Sequence, residues 1–92
     1  MKRLDWDEAK NAQLKAERGV GFEEIVTAIN DGGILDDIPH YNQIRYPGQR
    51  LLVIKIESYA YLVPYITDES RIFFKTIFPS RKATKKYIVN KK

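Results

Sequence analysis

The sequence contains no cysteine and a single histidine, His40. The missing cysteines exclude a disulfide scaffold, a thiolate metal site and a cysteine nucleophile. A zinc site is not expected, because nitrogen and sulfur ligands are nearly absent. We therefore expect neither a metal ion nor a small-molecule cofactor. A small protein without disulfides is typical of a reducing compartment, which favours a cytoplasmic location.

Long apolar runs are also missing. No run approaches the roughly 20 residues that a membrane-spanning helix needs, and the first residues lack the apolar core of a secretory signal. We expect no membrane contact. The sequence also has no glycine-rich phosphate loop, no G-x-S-x-G elbow and no HExxH helix, so the enzyme classes that depend on these motifs are not indicated.

The length of 92 residues permits one domain, residues 1–92. Hydrophobic residues make up 43% of the chain and charged residues 30%, which is typical of a globular protein rather than a disordered one. A modest single core is expected at this size.

Acidic residues are absent from the C-terminal part of the chain. Residues 1–70 hold twelve acidic and eight basic side chains, whereas residues 71–92 hold eight basic ones and no acid. A cationic end of this kind indicates a polyanionic partner, such as a nucleic acid, an anionic membrane or an acidic protein. The alternative interpretation is a solvated tail that keeps the protein in solution.

Periodicity predicts two helices at the start of the chain. Asp5 and Glu8 have the spacing of a capping box for a helix over residues 6–18, which Gly19 would end. Apolar residues at i, i+3, i+4 and i+7 predict a second helix over residues 22–30.

From residue 34 the pattern changes to that of strands, predicted over residues 34–38, 50–57, 59–66 and 71–78. Pro64 argues for an edge position or a bulge in the third of these. A short basic helix over residues 81–89 follows, with Ser80 as its N-cap. We therefore predict an α+β fold of two layers, in which two N-terminal helices pack on a three- to four-stranded antiparallel sheet and a short basic helix ends the chain. The second sheet face is expected to stay partly open to solvent.

Four cations are candidates for binding phosphate. Lys75 lies in the last predicted strand, Arg81 and Lys82 follow that strand, and Arg50 begins a neighbouring one. Arginine binds phosphate oxygens with two donors, and clustered cations stabilise the charge that develops on phosphorus during RNA cleavage. This set suits metal-independent cleavage of RNA by its own 2′-hydroxyl, although the same residues are common in proteins that only bind nucleic acid.

Two further residues are candidates for proton transfer. Tyr87 lies among the C-terminal lysines and could donate a proton or stack on a base. His40 is the only histidine, but its place after a proline favours a solvated loop side chain over a catalytic base. Tyr59 and Tyr61 share one strand face and are interpreted either as core residues or as exposed stacking platforms.

Several segments together resemble one family. Residues 6–10 (Trp-Asp-Glu-Ala-Lys), 18–20 (Arg-Gly-Val) and 22–24 (Phe-Glu-Glu) resemble the N-terminal signature of BrnT-like toxins. Residues 80–84 (Ser-Arg-Lys-Ala-Thr), with Tyr87 after them, resemble the C-terminal signature of that family. Residues 50–53 are similar to its central strand. Arg18 stands where the family often has histidine, which is typical of a divergent branch.

The resemblance implies a RelE-like fold and the toxin of a bacterial type II toxin–antitoxin system. It implies an endoribonuclease that cleaves mRNA, inhibits translation and growth, and pairs with a small DNA-binding antitoxin. The residues alone leave two alternatives open. One is a non-catalytic module that binds RNA or protein through its basic C-terminal surface, and the other is a structural subunit whose open sheet face is covered by a partner.

Overall fold

A computed structural model describes residues 2–90. These described residues form six strands and three helices, and the third helix continues as a π-helical turn at Lys85–Val89. Within the described residues, no helix is long and apolar enough to cross a membrane. The elements in chain order are β1 (Arg3–Trp6), α1 (Glu8–Arg18), α2 (Phe22–Asn30), β2 (Ile34–Pro39), β3 (Arg50–Ile56), β4 (Tyr59–Thr67), β5 (Arg71–Phe74), β6 (Phe78–Pro79) and α3 (Arg81–Thr84).

The strands form one mixed sheet in the order β1-β5-β4-β3-β2, with β6 beside the first half of β4. Strands β2 to β6 pair antiparallel, whereas β1 runs parallel to β5. The predicted α+β class is confirmed. The sheet is larger than predicted, because the N-terminal segment adds a strand and the last predicted strand divides into two.

The N-terminal segment is the first correction. Residues 3–6 form β1 instead of opening a helix, and the N-cap of α1 is Asp7, whose carboxylate accepts from the backbone N–H groups of Ala9 and Lys10. The prediction failed because the pairing of β1 with β5 joins residues far apart in the sequence. The end of α1 is as predicted, since Gly19 adopts φ 71°, which favours glycine.

Helix α2 has the predicted bounds, Phe22–Asn30. Its apolar face is buried on one face of the sheet through Phe22 and Ile25, which are fully enclosed. The rings of Trp6, Phe22 and Phe74 stack with centroids 5.6 to 6.4 Å apart. This aromatic stack joins β1, α2 and β5 and forms the centre of the main core, and it confirms that Phe74 is a core residue.

The second face of the sheet is partly covered, so the layers number three rather than two. Ala83 packs with Val53 and Ala60, and the partly buried Tyr87 and Ile88 complete this smaller cluster. Residues 81–89 were predicted only as a basic helix, but residues 83, 87 and 88 form an apolar stripe on it. The rest of this face stays open and forms grooves.

Pro64 lies in the central strand β4, so the predicted edge position is wrong. Its pairing with β3 is regular, but on the other side residues 75–77 stand opposite residues 63 and 64, which is the predicted bulge. Beyond residue 64, the second neighbour of β4 changes from β6 to β5. The carbonyl of Pro64 accepts from the N–H of Lys75, so the proline nitrogen faces the same gap between the two strands. Proline is tolerated because no ladder hydrogen bond is required there. The predicted strand 71–78 is interrupted over residues 75–77 for the same reason.

Candidate functional site

The C-terminal helix is fixed to the second sheet face by three side chains of the segment 80–84. The hydroxyl of Ser80 accepts from the N–H of Ala83, which confirms the predicted N-cap. The hydroxyl of Thr84 accepts from the buried N–H of Ala60 at 2.8 Å and donates to the carbonyl of Ser80. Ala83 is small enough to lie against the sheet. These contacts leave Lys82 of α3, and Lys85 and Lys86 of the π-helical turn, exposed beside the sheet.

The loop over residues 40–49 forms the opposite side of this surface, and its histidine is buried. His40 is only 6% exposed, so the predicted solvated side chain is wrong. Its ring packs between Tyr41 and Tyr46, with centroids 4.8 and 4.5 Å away. Nδ1 accepts a hydrogen bond from the N–H of Asn42. In the neutral ring the proton is therefore on Nε2, which makes that nitrogen a donor.

Two grooves lie on this surface, one between the loop and residues 75–78 and the other between the loop and the C-terminal helix. The first, of about 430 Å³, is lined by His40, Tyr41, Arg45, Tyr46, Lys75 and Phe78 among others, and we call it the His40 groove. The second, of about 480 Å³, is lined by Tyr41, Leu51, Phe78, Lys82, Lys86 and Tyr87 among others, and we call it the Lys82 groove. Tyr41 and Phe78 line both, so the two grooves adjoin.

The grooves carry positive charge. Arg45 and Lys75 line the His40 groove, Lys82 and Lys86 line the Lys82 groove, and no Asp or Glu of residues 2–90 lines either one. A third cleft, of about 420 Å³ at the junction of α2 with β2 and β3, differs in sign, since Glu24, Asp31 and Glu57 outnumber Lys55 there. A polyanion is attracted to the first two grooves and repelled by the third.

Tyr87 is held by an acid. Its hydroxyl donates to Oδ2 of Asp36 at 2.5 Å. This hydrogen bond is the main reason that the pKa of Tyr87 is raised, with burial as a smaller cause, and it is also the main reason that the pKa of Asp36 is lowered. The hydroxyl proton is thus directed at Asp36, and Tyr87 anchors the π-helical turn to β2.

Arg50, one of the four predicted phosphate-binding cations, contacts an acid instead. Its guanidinium donates to Oδ1 and to the carbonyl of Asp37, and the hydroxyl of Tyr65 donates to the same carboxylate. The hydrogen bond to Asp37 is the main cause that raises the pKa of Arg50. Arg50 shares its strand face with Leu52, which belongs to the main core, so it lies on the face opposite the grooves.

The six predicted site residues therefore do not all lie together. Lys75, Lys82, Tyr87 and His40 line the adjoining grooves. Arg81 is exposed at the start of α3 but is not among the lining residues of either groove, and Arg50 lies on the other face.

Three groove residues with a charge or an exposed ring were not among the predicted site residues: Tyr41, Arg45 and Lys86. Lys82 and Lys86 have the i, i+4 spacing that places two side chains on one side of a helix, which was a usable signal. For Arg45 and Tyr41 no local signal existed, because the loop has no periodicity.

Arg18, where the resembled family often has histidine, has a structural contact. Its guanidinium donates to the carbonyl of Ile77, which ties the end of α1 to the segment before β6. Asn11 has a similar role: it is buried, accepts from the N–H of Phe22 and donates to Glu23. Both side chains hold the N-terminal helices in place.

Within residues 2–90, no three His, Asp or Glu side chains are grouped closely enough to hold a metal ion. The four groove cations are joined by neutral polar side chains, among them those of His40, Asn42, Gln49 and Thr76. No protein-family model, curated protein or solved structure matches the chain.

Proposed function

We propose that this protein is an RNA-cleaving toxin of a type II toxin–antitoxin system, with the adjoining His40 and Lys82 grooves as its RNA site. One observation carries the proposal: four cations and the single histidine line a concave surface that no described acid lines. Convergence on a concave site favours an enzyme over a convex binding face.

The groove residues supply two kinds of phosphate contact for RNA cleavage. In this reaction the 2′-oxygen bonds to phosphorus and passes its proton to solvent water, the bond from phosphorus to the 5′-oxygen breaks, and the 5′-oxygen takes a proton from solvent water. Lys75 and Arg45 stabilise the charge on the pentacoordinate phosphorus. His40 donates a hydrogen bond through Nε2 to a phosphate oxygen, because Nδ1 accepts from the N–H of Asn42. The products are a 2′,3′-cyclic phosphate and a 5′-hydroxyl end.

The Lys82 groove has a different role in this proposal. Lys82 and Lys86 contact phosphates next to the scissile bond, which orients the strand without taking part in the chemistry. Tyr87 keeps these lysines in place through Asp36. Removing either lysine therefore weakens binding more than it slows the bound reaction.

The family resemblance supports the same proposal. The segment 80–84 that resembles the BrnT-like signature fixes the C-terminal helix beside the grooves. A RelE-like arrangement of the sheet and a small DNA-binding antitoxin belong to this proposal. An acidic segment of that antitoxin would cover the cationic grooves and block RNA.

Induced expression in a bacterial host tests the proposal. We expect growth arrest and new 5′-hydroxyl ends in cellular RNA from the unaltered chain, and neither from the Lys75→Ala, Lys82→Ala double variant. Lys10→Ala, which removes a charge from α1, is the matched control and should arrest growth like the unaltered chain. Normal growth and intact RNA with folded, unaltered protein would contradict the proposal, and so would full activity of the double variant.

Non-catalytic RNA binding is the second candidate. Two of the six predicted catalytic groups are engaged elsewhere, because Tyr87 donates to Asp36 and Arg50 donates to Asp37. This function predicts salt-sensitive RNA binding without cleavage. New RNA ends that depend on Lys75 would exclude it.

A further inference from the structure

Tyr41 is an exposed aromatic ring at the centre of the cationic surface. It is 75% exposed although it lies directly beside the buried His40. It is one of two residues that line both grooves, and the other, Phe78, is partly buried. The Tyr41 ring is therefore accessible to a ligand that lies across both grooves.

The loop that carries Tyr41 is held by its own hydrogen bonds. The N–H of His40 donates to the carbonyl of Gln49, and the N–H of Tyr46 donates to the carbonyl of Asn42. The side chain of Gln43 donates to the carbonyls of His40 and Gln49 and accepts from the N–H of Gly48. The loop is thus fixed before any ligand binds, which lowers the entropic cost of using Tyr41 as a contact.

Cations lie on both sides of the ring. Arg45 and Lys75 line the groove on one side, and Lys82 and Lys86 line the groove on the other. Alternation of cations with an exposed ring matches a single-stranded nucleic acid, whose phosphates and bases also alternate. A duplex does not fit this pattern, because its bases are stacked inside and cannot reach Tyr41.

We propose that Tyr41 stacks on an unpaired nucleobase of a single-stranded RNA, while the strand continues into the His40 groove on one side and the Lys82 groove on the other. This inference rests on the proposed function and specifies its substrate: a single strand with at least one base free to leave its own stack. Tyr41 is a binding and positioning residue here, since it contacts the base and not the reacting phosphate.

Binding to an RNA that cannot be cleaved tests the inference apart from catalysis. The probes are a fluorescent 2′-O-methyl oligouridylate and an abasic 2′-O-methyl oligomer of the same length and charge, with fluorescence anisotropy as the readout. We expect the unaltered protein to bind the oligouridylate about tenfold or more tightly than the abasic oligomer. Tyr41→Ala should lose this preference and keep its affinity for the abasic oligomer, whereas Tyr41→Phe should retain the preference.

Ile44→Ala is the matched control. Ile44 lies in the same loop and is 97% exposed, but it is not among the lining residues of either groove. It should bind both oligomers as the unaltered protein does. Because Tyr41 and Ile44 are both exposed, both variants should fold, and circular dichroism verifies this.

Three results would overturn the inference: equal binding of both oligomers by the unaltered protein, binding of neither oligomer, or an unchanged preference in Tyr41→Ala. If the protein cleaves RNA and Tyr41→Ala keeps the preference for the oligouridylate, the inference is wrong and the proposed function stands. If binding depends on the base and on Tyr41 but ordinary RNA is not cleaved, the inference is supported and the proposed ribonuclease activity is contradicted.

Discussion

The hydroxyl of Tyr87 and the carboxylate of Asp36 are joined by a hydrogen bond of 2.5 Å across 51 residues of sequence. Asp36 lies in the edge strand β2, and Tyr87 lies in the π-helical turn after α3. The contact therefore anchors one wall of the Lys82 groove, and it fixes Lys82 and Lys86 relative to the sheet.

Breaking this contact should destabilise the fold. Tyr87→Phe removes the donor, and we expect the free energy of unfolding to fall by about 1 kcal/mol, a typical value for one hydrogen bond. Urea denaturation measures it. A double-mutant cycle with Asp36→Ala, which removes the acceptor, should give a coupling energy of similar size. Independent, additive effects of the two substitutions would show that the hydrogen bond contributes nothing.

Stability should depend on pH in the acid range. The pKa values of Asp36, Asp5 and Asp68 are lowered from 3.8 in the folded protein, mainly by hydrogen bonds from Tyr87, from the N–H of Trp6 and from the N–H of Ser70. An acid with a lowered folded pKa stabilises the fold above its unfolded pKa and loses that contribution as the pH falls through the folded pKa.

We therefore expect the free energy of unfolding to be level at neutral pH and to fall below about pH 4. Urea denaturation at a series of pH values measures the fall. Asp36→Asn should make it shallower, because one of the carboxylates that must be protonated is gone. A stability that rises as the pH falls below 4 would contradict the assigned directions.

Thr84 should be needed for its hydroxyl rather than its size. Thr84→Val keeps the shape but leaves the buried N–H of Ala60 without its acceptor, so we expect a loss of about 1 to 3 kcal/mol in the free energy of unfolding. Thr84→Ser keeps the hydroxyl and should lose less. Urea denaturation of the two variants decides this, and equal stability of the Val and Ser variants would refute the role of the hydroxyl.

The groove lysines should set the salt dependence of RNA binding. Each phosphate contact contributes about 0.7 to the slope of log affinity against log salt for a single strand. Lys75→Ala and Lys82→Ala should each lower the slope by about that amount. Lys10→Ala, on α1, should leave it unchanged. Anisotropy titrations at several salt concentrations measure the slopes. Equal changes of slope in all three variants would show that the net charge of the protein, and not a defined site, determines RNA binding.

Arg50 should be dispensable for RNA cleavage. Its guanidinium contacts Asp37 on the sheet face opposite the grooves. Arg50→Ala is expected to lower stability slightly, since both side chains of the ion pair with Asp37 are more than a third exposed, and to leave the cleavage rate unchanged. Cleavage assays beside Lys75→Ala provide the comparison, and loss of cleavage in Arg50→Ala would move the site to the other face.

Local sequence signals predicted the parts of the fold that depend on local interactions. The bounds of α2 followed from the apolar spacing of Phe22, Ile25, Val26 and Ile29, and the N-cap of α3 followed from Ser80. The errors involve contacts between distant segments. The pairing of β1 with β5 and the gap that accommodates Pro64 depend on tertiary structure that no local pattern encodes.

The candidate site was predictable to a similar extent. The uneven distribution of charge along the chain was enough to identify Lys75 and Lys82. The burial of His40 depends on Tyr46, six residues later in a loop without periodicity, and the position of Arg50 depends on Asp37 in a neighbouring strand. Those two relationships arise only from the three-dimensional arrangement.

Cleavage of a defined single-stranded RNA by the purified protein, in the presence of a chelator, tests the central claim most directly. The substrate should be compared with a version that has deoxyribose at the scissile position. We predict a 2′,3′-cyclic phosphate and a 5′-hydroxyl product from the RNA, no product from the deoxyribose version, and no product from the Lys75→Ala, Lys82→Ala variant. Failure of the folded protein to cleave the RNA, or equal cleavage by the double variant, would contradict the assignment of the grooves as a ribonuclease site.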